Sequence, residues 1–135
     1  MREILFRGKH TRTGEWVEGL LWRKKYNDNK LFISCFPDED DNEEVFIIYP
    51  ETIGQYTGLT DKNGKKIFEC DILEFNYTGN NKGVEGKAVV VFENGKFGVK
   101  WGWHKEFVAL DGFANTTLTV IGNLHDNPEL LKERE

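Results

Sequence analysis

Asp61 and Asn63, one residue apart and followed by Gly64, have the beginnings of a calcium loop. Laid on the EF-hand pattern with Gly64 at its glycine position, the first ligand falls on Leu59 and the bidentate glutamate on Cys70, so the site fails at both ends. The stretch reads instead as a tight turn. Cys35 and Cys70 are the two cysteines, and His10, His104 and His125 the three histidines. None pairs at CxxC or HxxxH spacing, so no zinc site is expected and both thiols should be reduced. His104-Lys105-Glu106 has the HxE outline of a deaminase but lacks the PCxxC partner. A nucleophile elbow, a P-loop, a dinucleotide GxGxxG and a Cys/His pair are also missing, and no glycosidase-like pair can be singled out among 23 carboxylates. The expectation is a protein that is not an enzyme and holds no cofactor or metal.

Other side chains suit binding. Arg23, Lys24 and Lys25 lie between Trp22 and Tyr26, a basic run with aromatic neighbours. Trp101-Gly102-Trp103 places two indoles on one side of an extended chain, the geometry of a stacking platform, although Trp101 is better read as core. Trp16, Trp22, Arg23, Lys24, Lys25, Tyr26 and Trp103 therefore form the candidate binding surface. Pro37 to Glu44 packs six carboxylates into eight positions. Their mutual repulsion makes this a solvated connection first, and a cation site or a contact for a basic partner second.

The elements that position these residues are short strands. Ile4 to Phe6 and Trp16 to Trp22 flank a polar turn and read as the first hairpin, with Ile4 and Phe6 facing inward. Leu31 to Phe36 suits a strand buried on both faces, and Val45 to Tyr49, stopped by Pro50, a fourth strand pairing with it. The chain then centres on Ile53 to Leu73. There a strand ends at Leu59, Asp61, Asn63 and Gly64 form the turn, Ile67 and Phe68 resume, and Glu69-Cys70-Asp71 makes a corner into Ile72 to Phe75. Asn94 and Gly95 are the strongest hairpin signal. A type I′ turn there pairs Glu93 with Lys96, Phe92 with Phe97, Val90 with Val99 and Ala88 with Trp101, giving one wholly apolar face. Phe107 to Leu110 and Leu118 to Ile121 are further strands. Asn127 followed by Pro128 predicts a short C-terminal helix from Pro128 to about Arg134, docked by Leu130 and Leu131.

The segments Gln55 to Leu59, Asp61 to Gly64, Ile67 and Glu69-Cys70-Asp71 resemble the QYTGL-DKNG-I-EGD pattern of the YopX-like family of phage and prophage proteins. The opening Arg2-Glu3-Ile4-Leu5-Phe6-Arg7 and the closing Val120 to Asn123 with Asn127 to Leu131 resemble that family's REI-FR and VIGN-NPELL segments. Cys70 stands where the family usually has Gly, so this corner must be reachable with a Cβ. The resemblance implies a mainly β fold, with an SH3-like barrel portion placed in the second half, and a bacterial or phage cytoplasmic setting. No established biochemical activity comes with the resemblance.

With 135 residues the chain suits one domain, with a β subdivision near residue 59. Net charge of −5 and a pI near 5.3 argue against general nucleic-acid or anionic-membrane binding. No apolar run approaches the roughly 20 residues of a membrane span, and the first residues lack a signal-peptide pattern, so a cytoplasmic location is expected. Two functional readings follow. The first is a protein-binding or assembly module that recruits a protein partner or a second copy through strand edges and aromatic patches, with Trp16 to Trp22 as the expected interface of a homo-oligomer. The alternative is a nucleic-acid-associated SH3-like module using the basic run beside Trp22.

Overall fold

The computed structural model describes residues 3–24, 30–35, 42–77, 85–101, 106–110 and 116–131. The chain divides into two compact units, Met1–Gly58 and Leu59–Glu135.

The first unit is an antiparallel sheet of β1 (Phe6–Lys9), β2 (Trp16–Trp22), β3 (Leu31–Cys35), β4 (Glu44–Ile48) and β5 (Gly54–Thr60), in the order β4-β3-β2-β1-β5. β5 carries the chain on into the second unit. The first hairpin forms as expected, with Lys9 opposite Trp16 and Phe6 opposite Gly19. Its first strand starts two residues later than the alternation suggests, and Ile4 is 55% exposed instead of facing inward. The apolar run of β3 is buried on both faces at Phe32, Ile33 and Ser34. Pro50 ends the next run by starting a 3-10 helix, Pro50–Thr52, which the sequence reading did not include. Ile33 and Ile48, with 0% and 1% exposure, are the best-buried apolar residues among those described in this unit.

In the second unit the turn after β5 leads into β6 (Lys66–Phe68), and β7 (Asp71–Tyr77), β8 (Glu85–Glu93), β9 (Lys96–Trp101), β10 (Glu106–Ala109) and β11 (Thr116–Asn123) form a sheet ordered β10-β9-β8-β7-β11. Its core is Ile67, Leu73, Phe75, Ala88, Val90, Val99 and Leu110. Asn94 and Gly95 both have positive φ, 51° and 78°, as a type I′ turn requires, and the expected register follows: Glu93 faces Lys96, Phe92 faces Phe97, and Val90 faces Val99. The wholly apolar buried face does not extend to the tip. Phe92 is 52% exposed, because the Phe92·Phe97 pair lies past the ladders of both neighbouring strands, which reach only Val89 on β8 and Gly98 on β9.

Two details differ from expectation. Among the described residues neither sheet closes into a barrel, since each has two ends in its strand order. The C-terminal helix is a 3-10 turn over Pro128–Leu131, closed by the Leu130 N–H bond to the Asn127 carbonyl, and the rest of the expected helix lies outside the described residues. Asn127 does not cap with its side chain: its Oδ1 accepts the Asn123 N–H at 3.3 Å.

Candidate functional site

Cross-strand partners in an antiparallel sheet point to the same side, so the registers of the first unit define its faces. Leu20, Ser34 and Val45 form one row across β2, β3 and β4, and Trp22, Phe32 and Ile47 form the next. Leu21, Ile33 and Phe46 make a row on the opposite, better-buried face. The Trp22 indole stacks on Phe32 at 4.5 Å and donates its Nε1–H to Ser34 Oγ at 2.7 Å, which buries both partners. Around them Leu20, Val45 and Ile47 remain exposed, at 53%, 45% and 38%. This gathers an apolar surface at the β4 end of the sheet.

β4 is also an edge. Thr11 N–H donates to the Ile47 carbonyl and Tyr49 N–H to the Lys9 carbonyl, so the odd-numbered residues of β4 aim their backbone groups away from β3. Val45 therefore points its N–H and C=O outward, and among the described residues neither has a partner. The chain follows this edge only to Thr11. Beyond it, His10, Thr11 and Arg12 face Glu44, Val45, Phe46 and Ile47 across an open cleft of about 460 Å³. His10 closes its inner end, bridging to Ile48 and meeting the Phe46 ring edge-on at 4.9 Å. Glu43 and Glu44, the end of the acidic run, stand exposed at the other.

The sequence-selected surface is only partly gathered here. Trp22 and Lys24 are together, with Lys24 Nζ 6.0 Å from the Phe32 ring centre, and Arg23 beside them is exposed. Trp16, at the far end of β2, carries Arg7 at 4.7 Å and Lys9 at 5.3 Å from its ring centre. Lys25, Tyr26 and Trp103 lie outside the described residues, as does the acidic run before Asn42. β2 itself is not an edge: it lies between β1 and β3, so only its face is available to a partner. Val45 and Ile47 are the residues that sequence reasoning missed. The sequence holds no signal for them, because an apolar run reads the same whether its face is covered or open.

Burial pushes the Cys35 thiol above its ordinary range, against a smaller backbone contribution at Glu18, and the Glu44 and Glu18 carboxylates add to the rise; the thiol donates to the Glu18 carbonyl at 2.8 Å. Cys35 is thus a protonated thiol at neutral pH. Among the described residues no three His, Cys, Asp or Glu side chains group to hold a metal ion.

The Asp61 turn has a different task. Asp61 is 7% exposed, and its carboxylate accepts three backbone N–H bonds: Asn63 and Lys65 at Oδ1 and Val120 at Oδ2, each at 2.9 Å. Burial alone would raise its pKa, but the Val120, Lys65 and Asn63 donors, helped by the Lys65 charge, hold it below the ordinary carboxylate value. Lys62 N–H donates to the Leu118 carbonyl beside it, so the turn covers the outer edge of β11. Gly64, at φ +81°, supplies the positive φ the turn needs. At the next corner Cys70 adopts φ +69° despite its Cβ, with its N–H on the Val90 carbonyl and its carbonyl accepting Leu124 N–H.

These features define an all-β chain of antiparallel strands whose stitched edge and open edge are on different units. The chain belongs to the YopX protein family, whose sequence model matches residues 5–132. It is similar to the crystal structure of protein EF1440 from Enterococcus faecalis, with 27% identity and a TM-score of 0.58 over 98% of this chain and 100% of that one. No curated protein matches it. Among the described residues no helix is long and apolar enough to cross a membrane.

Proposed function

We propose that the protein is a non-catalytic protein-binding or assembly module of phage or prophage type, working in the cytoplasm of a bacterial host. The observation that carries this reading is the β4 edge, which presents backbone groups at Val45 that have no partner among the described residues, next to exposed Leu20, Val45 and Ile47. A sheet edge of this kind is a template for strand addition: backbone bonds supply affinity and alternate side chains supply selectivity. Membership in the YopX family supports the phage setting, through the resemblance of its segments to phage and prophage proteins. The SH3-like portion finds its support in the first unit rather than in the second half. There β1 pairs with β2 on one side and β5 on the other, and the His10 to Ile48 bridge curls β4 back towards the end of β1.

The alternative, a nucleic-acid-associated module, draws on Arg7 and Lys9 over Trp16 and on Lys24 near Phe32. The net charge of −5 weighs against it. One experiment separates the two. Host proteins retained by the immobilised full chain are identified, and the binding is rebuilt from purified components at low and high salt. The module reading expects retention that hardly changes with salt and is lost in Ile47→Lys. Retention that survives Ile47→Lys but collapses with salt contradicts it and favours phosphate-driven binding.

A further inference from the structure

We propose that Asn94 is a site of slow self-modification, deamidating through attack by the backbone nitrogen of Gly95, whereas the fold protects Asn63, which is followed by glycine in another turn. This stands apart from the binding reading of β4. Asn63-Gly64 and Asn94-Gly95 are the two Asn-Gly pairs of the chain, and both asparagines are exposed. Glycine puts no side chain in the way of the attack, and the space beside Gly64 and Gly95 is open. Neither the dipeptide nor its access distinguishes the two sites.

In the reaction, solvent hydroxide takes the proton from the glycine N–H as that nitrogen bonds to the asparagine Cγ, and the side-chain nitrogen, protonated by water, leaves as ammonia. Water then opens the five-membered succinimide at one carbonyl to give aspartate, or at the other to give isoaspartate. Closing the ring requires the asparagine to rotate about its Cα–C bond, which swings the glycine N–H with it. Whatever holds that N–H opposes the reaction.

At Asn63 it is held. Gly64 N–H donates to the Asp61 carbonyl at 3.0 Å, flanked by the Asn63 and Lys65 N–H bonds to Asp61 Oδ1, both at 2.9 Å. The same carboxylate is tied to Val120 on β11, so rotation at Asn63 pulls against the capped edge. At Asn94, by contrast, the Gly95 N–H has no hydrogen-bond partner among the described residues. The turn also sits past the ladders of both neighbouring strands, so it opens without disturbing them. The products alter the hairpin tip. Aspartate adds a charge beside Glu93, which pairs with Lys100, and isoaspartate lengthens the main chain of a two-residue turn that fixes the Glu93 to Lys96 register.

Incubation of the full chain in mildly alkaline buffer, folded and in urea, with mass spectrometry of the peptides covering positions 63 and 94, tests this. In urea the two sites should convert at similar rates. In the folded chain Asn94 should convert faster than Asn63 by about tenfold or more, the effect of one additional backbone bond to be opened. The product at position 94 should be a mixture of aspartate and isoaspartate, and Asn94→Gln, which cannot close a five-membered ring, should abolish it while leaving position 63 as in the wild type. Equal rates at the two sites in the folded chain overturn the inference, as does a folded chain in which Asn94 stays intact while both sites convert in urea. Aspartate alone at position 94, the mark of direct hydrolysis, contradicts the attack by Gly95.

Discussion

β4 and β11 each lie at the end of a strand order, yet their outer edges are treated in opposite ways. At β11 the Leu118 carbonyl and the Val120 N–H are both taken, by Lys62 N–H and the Asp61 carboxylate. At β4 the corresponding groups of Val45 face outward with no partner among the described residues. An edge capped by a buried carboxylate contributes to stability and offers nothing to a partner. An edge left open beside exposed apolar side chains gives up that contribution and remains available for pairing. The segments that carry the family resemblance lie with the closed arrangement: Tyr56 N–H bonds the Leu5 carbonyl in the first unit, and Asp61 and Cys70 bond β11 and Leu124 in the second. β4 lies outside those segments. What identifies the family is scaffold, and the surface proposed to act is elsewhere.

Removing the cap should produce the largest effect. Asp61→Ala strips the acceptor from three N–H groups and should destabilise the fold by about 3 kcal/mol, at roughly 1 kcal/mol per bond, measured by urea unfolding. Association through β4 should be unchanged in that variant. The same carboxylate sets an acid limit. Its folded pKa is depressed, so its contribution is present above the unfolded value near 3.8 and is lost as pH falls through the lower folded value. In Asp61→Asn, the part of the stability loss below about pH 4 that belongs to this group should disappear from the pH profile.

Strain in the turn that delivers the cap comes next. Gly64→Val has open space for its side chain, but a β-branched residue at φ +81° should cost about 1–2 kcal/mol, read as a lower Tm. A variant melting with wild type would show that the turn relaxes without disturbing β11. Cys70→Gly works in the other direction. Relieving φ +69° at the corner should raise stability by up to about 1 kcal/mol, less whatever flexibility glycine adds to the unfolded chain.

How much of this contrast is legible in the sequence depends on distance along the chain. The Asn94-Gly95 register is legible because the turn type fixes it locally, and so is the positive φ at Gly64. The need for positive φ at Cys70 follows from the residue it replaces in the family pattern. Asp61 as a cap is not legible, since its partner Val120 lies 59 residues further on. The exposure of Phe92 depends on where neighbouring ladders stop, and the absence of an edge at β2 depends on strand order, neither of which periodicity encodes. Val45 and Ile47 read as core because an apolar run is the same string in a central strand and in an edge strand.

Amide hydrogen exchange at two valines, followed residue by residue in a dilute sample, tests the contrast most directly. Val120, bonded to the Asp61 carboxylate, should exchange slowly and lose its protection in Asp61→Ala, while Val45 should exchange orders of magnitude faster. Equal protection of Val45 and Val120 at low concentration would mean that the β4 edge is already covered within one chain, and would contradict the account.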